Sequence, residues 1–451
     1  MKKLHYSSAI WCLFFLIASS FATRSTPNPE AKRIAAEMEE FVRATMLSAW
    51  YPQAIDREYG GFLSHFLYDF EPGPDQRKMI VTQARHTWTN AQAAMRYDQE
   101  PHYWEGAKWG YEFLRDKMWD KTYGGFFTLV DRQGKPIDED QIKTAYGNSF
   151  GIFALAAYYK ATKDQEALNL AIEAFNWLEK HSHDPEYGGY FQHLARDGSP
   201  IVRTADVPST SDLGYKDQNS SIHLLEAFTE LYQVWPDPQL RIRLSEMLLL
   251  IRDKMVDEKG FLRLFYEADW TPVSFHEEDR TVILAHKQLD HVSYGHDVET
   301  AFLLWEAAHV LGREVDTYTL KIAKKMVDHA LDHGWDAEKG GFYDEGYYFS
   351  QDAPSVIKMG KNWWAQSEAL NTLALMHVLY PEDERDYWGK FKKLWEYYQE
   401  YLIDEEFGDV YSGGLDLQPE MKTGNKGHLW KASYHQFRGV THAISLLKKM
   451  Q

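Results

Sequence analysis

One short stretch, Asp120-Lys121-Thr122-Tyr123-Gly124-Gly125-Phe126, occurs in six recognisable copies along the 451 residues. Successive copies lie about 70 residues apart, and the others begin at Asp56, Asp184, Asp257, Asp336 and Asp404. The paired glycines supply backbone angles that other residues avoid, so each copy indicates a tight turn followed by an aromatic residue. A unit of this size is too small to be a domain, and the chain is therefore expected to form one repeat structure.

Two amphipathic helical stretches separate each turn from the next. In the second unit, Ile152, Ala156 and Tyr159 lie at helical spacing. Breaks with proline or charged residues, such as Thr162-Lys163-Asp164 and Tyr380-Pro381-Glu382, divide the two helices of a unit. Six such hairpins can close into an all-α (α/α)6 toroid, or barrel, with short β-hairpins in the connecting loops. An open solenoid is the alternative, and the lack of a recognisable polar capping repeat disfavours it.

The composition excludes several classes of protein. A formal net charge of −18 disfavours nucleic acid and anionic membrane surfaces as partners, because both are themselves negatively charged. The single cysteine excludes a disulfide framework and a thiolate metal cluster. Aromatic residues make up 15% of the chain. The turns and the helix packing account for many of them, and we expect a few to contact a ligand.

The first residues have the pattern of an export signal. Met1-Lys2-Lys3 is a basic start, an apolar run covers 9–18, and Ser20-Phe21-Ala22 matches a small-x-small cleavage site. We therefore expect a signal peptide at 1–22 and a single catalytic domain at 23–451, exported to the periplasm or secreted. No other apolar stretch approaches the ~18 residues of a membrane span, so no membrane contact is expected after cleavage. We also expect a monomer.

Polar and aromatic residues recur at one phase of the repeat, near the start of the first helix of each unit. The inner helices of a closed ring point the same way, so these starts share one mouth. Burying so many polar groups without partners would be costly, and we interpret the set as the lining of a common pocket. Its members are Arg85, His86, Trp88, Tyr146, Asn148, Asn219, His223, His296, Asp297, Glu299, Trp363, Trp364, Gln366, Glu368, Trp430, Tyr434 and His435.

The residue types in this set indicate proton transfer on a sugar-like ligand. Histidine titrates near neutral pH, so a pair can take and return protons without a metal. Arg85 can stabilise an oxyanion, and Trp and Tyr suit the apolar faces of sugar rings. His181, His183 and the run at 276–279 match no metal-binding spacing and are interpreted as solvated loops. Asn219 begins a formal glycosylation sequon, but its position favours binding or helix capping.

Several segments resemble those of cellobiose 2-epimerases. The segment His291-Val-Ser-Tyr-Gly-His-Asp-Val-Glu299 is similar to their Gly-His-Asp-x-Glu motif. Lys361-Asn-Trp-Trp-Ala-Gln-Ser-Glu368 is similar to Trp-Trp-x-Gln-x-Glu, and Trp430-Lys-Ala-Ser-Tyr-His435 to Trp-Lys-x-x-Tyr-His. Gln83-Ala-Arg85 and Asn219-Ser-Ser-Ile-His223 match two further positions. The resemblance covers essentially the whole mature chain, and the wider superfamily of N-acylglucosamine 2-epimerases has the (α/α)6 fold.

The resemblance implies a cofactor-independent epimerase. It would open the reducing-end sugar of cellobiose, mannobiose, lactose or a related disaccharide; this sugar is glucose in cellobiose and lactose and mannose in mannobiose. It would then remove the C2 proton to give an enediolate and return a proton on the opposite face. His296 and His435 are implied as the acid/base pair, with His223 in ring opening and Arg85 at the enediolate oxygens. Glu299 is expected to orient His296, and Trp364 and Trp430 to stack on the sugar rings. The residues expected to bind substrate or support the pocket are Asn219, Glu299, Trp363, Trp364, Glu368, Trp430 and Tyr146.

Three other functions stay open at this point. An aldose–ketose isomerase acting on mannose-type sugars would form the same enediolate and protonate carbon 1 instead of carbon 2. A glycoside hydrolase of the same fold depends on carboxylates, and the histidine-rich mouth disfavours it. A carbohydrate-binding protein without catalysis would need the aromatic residues but not both histidines.

Overall fold

The computed structural model describes residues 28–313, 316–350 and 352–450. Within these ranges the long helices form two concentric rings. The inner ring consists of Ile80–Arg96, Ala145–Thr162, Gln218–Val234, Tyr294–Val310, Trp363–Leu379 and Tyr434–Lys449, called inner helices one to six below. The outer ring consists of Pro29–Glu40, Pro101–Phe113, Gln165–His181, Pro238–Leu250, Thr317–Gly334 and Tyr387–Tyr401. The expected all-α (α/α)6 barrel is confirmed.

Burial distinguishes the two rings. Inner helix two buries every residue from Ala145 to Tyr158, because it has neighbours on all sides. The outer helix Gln165–His181 buries one apolar stripe, which includes Leu168 and Phe175, as expected for a helix at the surface. The inner helices therefore form the walls of the barrel, and their polar residues can face its interior.

The ring is closed by the two ends of the described chain. Inner helix six packs on inner helix one and also on the N-terminal outer helix Pro29–Glu40. The Asn28 N–H donates to the Met450 carbonyl over 3.2 Å. The closure excludes an open solenoid. It also differs from six consecutive hairpins, because the outer partner of inner helix six comes from the opposite end of the chain.

A buried ion pair stabilises the repeated turn. The Asp120 carboxylate accepts the backbone N–H groups of Thr122 and Tyr123 over 2.9 and 3.3 Å. The Lys143 ammonium donates to Asp120 over 2.9 Å and to the Gly124 carbonyl over 2.6 Å. We call this arrangement the lysine clamp. It recurs at Asp56–Lys78, Asp184–Lys216, Asp336–Lys361 and Asp404–Lys426.

The turn needs glycine for two reasons. Gly125 has a φ of +69°, and a Cβ at this position would lie 2.8 Å from the ring of Trp177. The copy at Asp257 departs from the pattern, because Arg263 takes the place of the clamp lysine and pairs with Asp257 over 2.7 Å. This copy also retains one glycine, Gly260, in place of two.

Short strands connect neighbouring units and lead into the inner helices. The antiparallel pairs are Lys78–Met79 with Leu129–Val130, Lys143–Thr144 with His193–Leu194, Lys216–Asp217 with Phe265–Tyr266, and Val292–Ser293 with Glu345–Tyr347, which also pairs with Ser355–Lys358. Inner helices one to four each begin directly after a strand. Their N-terminal ends consequently lie at one end of the barrel.

The remaining elements are short. Three outer helices continue as wider π-helical turns at Phe41–Leu47, Leu114–Met118 and Ile251–Met255, and further short helices are Ser48–Trp50, Arg280–His286, Lys287–Leu289 and Pro419–Thr423. Among the described residues, no helix is both long and apolar enough to cross a membrane. The expected signal peptide at 1–22, with Cys12, lies outside the described residues.

Candidate active site

Two histidines from separate inner helices lie beside one tryptophan. His296 lies in the first turn of inner helix four and His435 in the first turn of inner helix six. Trp364 is the second residue of inner helix five, and its ring centroid lies 4.7 Å from that of His296 and 5.9 Å from that of His435. The structure thus brings together the two residues expected to exchange protons with substrate.

His435 is held by a buried carboxylate. Its Nδ1 lies 2.8 Å from Glu368 Oε1 on inner helix five. Burial, together with nearby Arg85 and His296, holds the pKa of His435 well below its ordinary value. With Nδ1 occupied by Glu368, the Nε2 lone pair is the group available to a substrate proton.

His296 has a hydroxyl rather than a carboxylate as its partner. Its Nδ1 lies 2.7 Å from Ser293 Oγ, and burial lowers the pKa of His296 to about 3. The resemblance implied that Glu299 orients His296. The structure instead places Glu299 in an ion pair with Arg438, and Ser293 orients the imidazole. The ring of His296 is therefore neutral near pH 7.

His223 lies on the third wall. Its Nδ1 lies 2.8 Å from Glu226 Oε2, one turn further along inner helix three. The rings of Tyr146 and Phe150 lie 5.2 and 4.8 Å from the imidazole, centroid to centroid. Burial, followed by the charges of Arg85 and other cations, holds the pKa of His223 well below its ordinary value.

Arg85 links two walls of the mouth. Its Nη1 donates to the Trp430 carbonyl over 2.9 Å, and its Nη2 donates to the Tyr146 hydroxyl over 3.2 Å. The guanidinium carbon also lies 4.7 Å from the centroid of the Phe150 ring and 5.3 Å from that of Tyr434. The buried Nε has no hydrogen-bond partner within the described ranges.

A residue that the sequence reasoning missed lies at the centre of the site. Arg438 forms ion pairs with Glu226, Glu299 and Glu368, with 2.9 Å from its Nη2 to Glu368 Oε1, and it donates to the Tyr434 hydroxyl over 2.5 Å. We call these three glutamates and the arginine the carboxylate hub. Arg438 lies one turn after His435 on the same helix face, and this spacing could have identified it.

Two glutamates of the hub form, with His435, a group of atoms with the chemistry of metal ligands. Single ligand atoms from Glu299, Glu368 and His435 lie within 4.8 Å of one another. The guanidinium of Arg438 already pairs with both carboxylates, so a divalent cation would have to displace it. Burial raises the pKa of Glu299 to about 8, and burial followed by the Glu299 charge raises that of Glu368. The arrangement is that of an ion-pair network with more acids than bases.

The other expected binding residues divide into two groups. Trp430 is 54% exposed at the mouth, and Tyr146 lies beside it, with ring centroids 6.3 Å apart. Trp363 is buried, and its ring lies next to His428 and Lys431. These contacts differ from those of Trp364, whose ring lies beside His296 and His435.

Helix capping, expected as one role of Asn219, belongs to a neighbouring residue. Asp217 accepts the Ser220 N–H over 2.6 Å and caps inner helix three. Asn219 is half-buried in the first turn of the same helix. Of the two roles considered for Asn219, binding is the one that remains.

Several residues of the predicted pocket lining have structural roles. Asn148, Asp297 and Gln366 accept the backbone N–H of the aromatic or aliphatic residue that follows a turn, over 2.8 to 2.9 Å. His86 hydrogen-bonds the Tyr51 hydroxyl over 2.8 Å in the core. The same phase of the repeat therefore serves two purposes, which are anchoring a turn and lining the mouth.

Comparison with known proteins places this geometry in a family context. The sequence matches the family model of N-acylglucosamine 2-epimerase (GlcNAc 2-epimerase) over residues 60–437. A cellobiose 2-epimerase of Bacteroides fragilis is 28% identical over 410 residues, covering 89% of this chain and 96% of that protein. A D-mannose isomerase of Marinomonas mediterranea is 24% identical over 413 residues, covering 91% and 97%. The solved structure of cellobiose 2-epimerase from Spirochaeta thermophila is 28% identical, with a TM-score of 0.79 and coverage of 94% of this chain and 98% of that one.

Proposed function

Because this chain belongs to the N-acylglucosamine 2-epimerase family, and is therefore an epimerase or isomerase, we propose that it epimerises carbon 2 of the reducing-end glucose of cellobiose or a related β-1,4 disaccharide. One observation carries the proposal. His296 and His435 approach a shared tryptophan from two different inner helices. Two bases on different walls are what inversion at one carbon requires, because the proton leaves one face of the carbon and arrives on the other.

The chemistry begins with the open-chain aldehyde. His223 assists ring opening by exchanging a proton with the ring oxygen or the anomeric hydroxyl. Its Nδ1 contact with Glu226 leaves Nε2 for this exchange. Opening exposes the C1 carbonyl, which makes the C2 proton acidic.

Proton transfer then inverts the carbon. One of His296 and His435 takes the C2 proton through Nε2, and the electron pair of the C–H bond forms the C1–C2 double bond while O1 becomes an enediolate oxygen. The other histidine takes up a proton from solvent and gives it to the opposite face of C2, and the carbonyl re-forms. The first histidine releases its proton to solvent before the next turnover. Glucose becomes mannose, and the roles of the two histidines exchange in the reverse direction. No redox change or cofactor enters the balance.

Charge stabilisation is assigned to Arg85. Its guanidinium lies at the mouth, and its Nε is without a partner in the described part of the chain. A fixed cation aimed at a developing oxyanion stabilises it without rearrangement. Arg85 also donates to the Trp430 carbonyl, so the same residue positions the tryptophan proposed to stack on the second sugar ring.

The decisive experiment is incubation of the purified protein with cellobiose in deuterated water, followed by NMR. We expect deuterium at C2 and a new disaccharide that ends in mannose. Mannobiose and lactose are tested in parallel to find the preferred substrate. If none of the three sugars gains deuterium at C2, the proposal is wrong.

An aldose–ketose isomerase is the second candidate, supported by the resemblance to D-mannose isomerases. It would use the same enediolate and deliver the proton to C1, so the product would be a ketose. The same NMR experiment, with mannose added as a substrate, separates the two. A ketose without the C2 epimer would favour isomerase action.

Removal of the exposed aromatic at the mouth is expected to weaken binding of a disaccharide. For Trp430→Ala we expect the KM for cellobiose to rise about tenfold, with kcat within about threefold, since one stacking contact is lost. Tyr318→Ala removes a similarly exposed ring from an outer helix and serves as the control. An unchanged KM in Trp430→Ala would remove this residue from the proposed sugar site.

Export and a monomeric state remain proposals. Sequencing the N-terminus of protein recovered outside the cytoplasm would test cleavage after Ala22. Light scattering on the purified protein would test the monomer. An uncleaved N-terminus or a stable dimer would contradict the respective expectation.

A further inference from the structure

The carboxylate hub holds more negative charge than its single cation can balance. Glu226, Glu299, Glu368 and Arg438 are each at most 4% exposed. Arginine stays protonated in proteins, whereas three ionised carboxylates around it would leave a net charge of −2. Buried like charges resist joint ionisation. The ionisation of each glutamate therefore depends on Arg438.

We propose that Arg438 is a positioning residue that keeps Glu368 ionised, and that ionised Glu368 holds His435 in the tautomer whose Nε2 is free to act as a base. The inference rests on the proposed function and goes beyond it, because Arg438 acts through Glu368 and His435 and not on substrate. One oxygen of Glu368 contacts both Arg438 and His435. Arg438 Nη2 lies 2.9 Å from Glu368 Oε1, and the same oxygen lies 2.8 Å from His435 Nδ1.

The tautomer of His435 depends on whether His435 or Glu368 donates the hydrogen bond between them. An ionised Glu368 can only accept, so His435 must carry its hydrogen on Nδ1, and Nε2 presents a lone pair. A protonated Glu368 could donate to Nδ1, and the hydrogen of the neutral imidazole would then reside on Nε2. In that state Nε2 of His435 carries a hydrogen, so it presents no lone pair that could accept a proton from the substrate. The charge on one carboxylate thus decides whether His435 can act.

The other charges around Glu368 come from three inner helices. In the intact protein, burial raises the pKa of Glu368, the charges of Glu299 and Glu306 raise it further, and Arg85 lowers it. The direct contacts of the Arg438 guanidinium with both oxygens of Glu368 favour the ionised form and oppose this rise. Removing Arg438 takes away the cation in direct contact with Glu368 and leaves the acidic neighbours. Glu368 would then take up a proton at neutral pH. The titratable or charged groups that face it are His435, Tyr434, Arg438, Glu299, Glu306 and Arg85.

The first test is the pH dependence of kcat in Arg438→Met, which removes the charge and keeps much of the volume. We expect kcat at neutral pH to fall at least about 100-fold with KM within about threefold, since a catalytic histidine in the wrong tautomer is severely impaired. Because the pKa of Glu368 rises, its ionised form returns only at higher pH, and activity should recover as the pH is raised. A loss of activity with an unshifted profile would overturn the proposal.

The second test adds Glu368→Gln to Arg438→Met. A glutamine oxygen can accept from His435 Nδ1 without being ionised. We therefore expect the double variant to be about tenfold faster than Arg438→Met at neutral pH and to lose the alkaline recovery, because the titrating group is gone. A double variant no faster than the single one would contradict the tautomer argument.

A control and a readout without substrate complete the design. Arg243→Met removes an outer-helix arginine that pairs with Glu179 and Glu246, and it should leave the pH profile unchanged. Nitrogen-15 NMR of histidine-labelled protein, with His435→Asn to assign the signal, reports the tautomer directly. We expect an Nδ1–H form in the wild type and an Nε2–H form in Arg438→Met. If wild-type protein acts on no sugar, the proposed function fails, and the NMR result still decides this inference.

Discussion

Replacing His435 by asparagine is expected to lower the rate of C2 exchange about 1,000-fold, because a positioned acid/base group contributes about 10²–10⁴ to such reactions. An asparagine amide can still donate to Glu368, which lies 2.8 Å from the histidine Nδ1. The His435→Asn variant therefore keeps the hydrogen bond to Glu368 and loses the imidazole nitrogen proposed to act as the base. The measurement is deuterium incorporation at C2 of cellobiose, with disaccharide binding followed by calorimetry.

The His435→Asn result has to be interpreted from the rate of C2 exchange and the affinity for the disaccharide together. His296→Asn should show a similar loss, and His102→Asn on the outer helix Pro101–Phe113 should show none. Retained binding without exchange would support catalysis by the histidine pair. Full exchange in both His435→Asn and His296→Asn would show that neither residue is a base and would return the site to a binding role.

A second large effect is expected on stability, from a lysine that clamps one of the repeated turns. Lys361 is fully buried and donates to Asp336 over 2.8 Å, to Asp416 over 3.0 Å and to the Gly340 carbonyl over 2.9 Å. Lys361→Met should lower the free energy of unfolding by about 3–5 kcal/mol, the usual cost of leaving a buried charge without its partner. Denaturant unfolding followed by fluorescence measures it.

The matched control is an exposed ion pair. Lys392 pairs with Glu30 over 3.1 Å on the surface, and both side chains are substantially exposed. Lys392→Met should change the free energy of unfolding by less than about 1 kcal/mol. Equal effects of the two substitutions would mean that the lysine clamp does not stabilise the turns as described.

The sequence was informative about the ring because its strongest signal is local. A turn that needs two left-handed residues accepts almost nothing but glycine, so the copies at Asp56 and Asp120 are readable without any knowledge of the fold. The clamp lysine was not predicted. Lys143 contacts Asp120 across 22 intervening residues, and a buried lysine has no distinctive pattern in a single sequence. Closure by the helix Pro29–Glu40 was missed for the same reason, since it is a contact between distant parts of the chain.

The sequence predicted which residues converge at the mouth of the barrel, but it did not separate residues that line the mouth from residues that anchor the turns. His296, His435, His223 and Arg85 meet as expected, because inner-helix starts converge in any closed ring of this kind. Asn148 and its equivalents occupy the same phase but bind backbone N–H groups of the turns. Residue type and spacing do not distinguish these two uses. The distinction depends on where the side chain finds its partner.

Charged residues that contact the histidines or their glutamate partners were the hardest to predict from the sequence. Arg438 and Glu226 lie on helix faces that periodicity marks as buried, where a charge is unusual. Their role depends on the tertiary structure, because inner helices three, four and five each supply one glutamate to Arg438 on inner helix six. Ser293 is similar, since a serine before a helix ordinarily indicates a cap, whereas here its hydroxyl contacts His296.

The join between the N-terminal helix and inner helix six has a consequence for synthesis on the ribosome. Chains emerge N-terminus first and fold as their parts become available. The helix Pro29–Glu40 emerges early, but the helix that it covers, Tyr434–Lys449, emerges after the other five inner helices and carries both His435 and Arg438. A nascent chain that lacks inner helix six therefore has five inner helices and leaves the helix Pro29–Glu40 without its partner. It also lacks one of the two histidines proposed to exchange protons with substrate. Closure of the ring and completion of the proposed histidine pair therefore depend on the same helix.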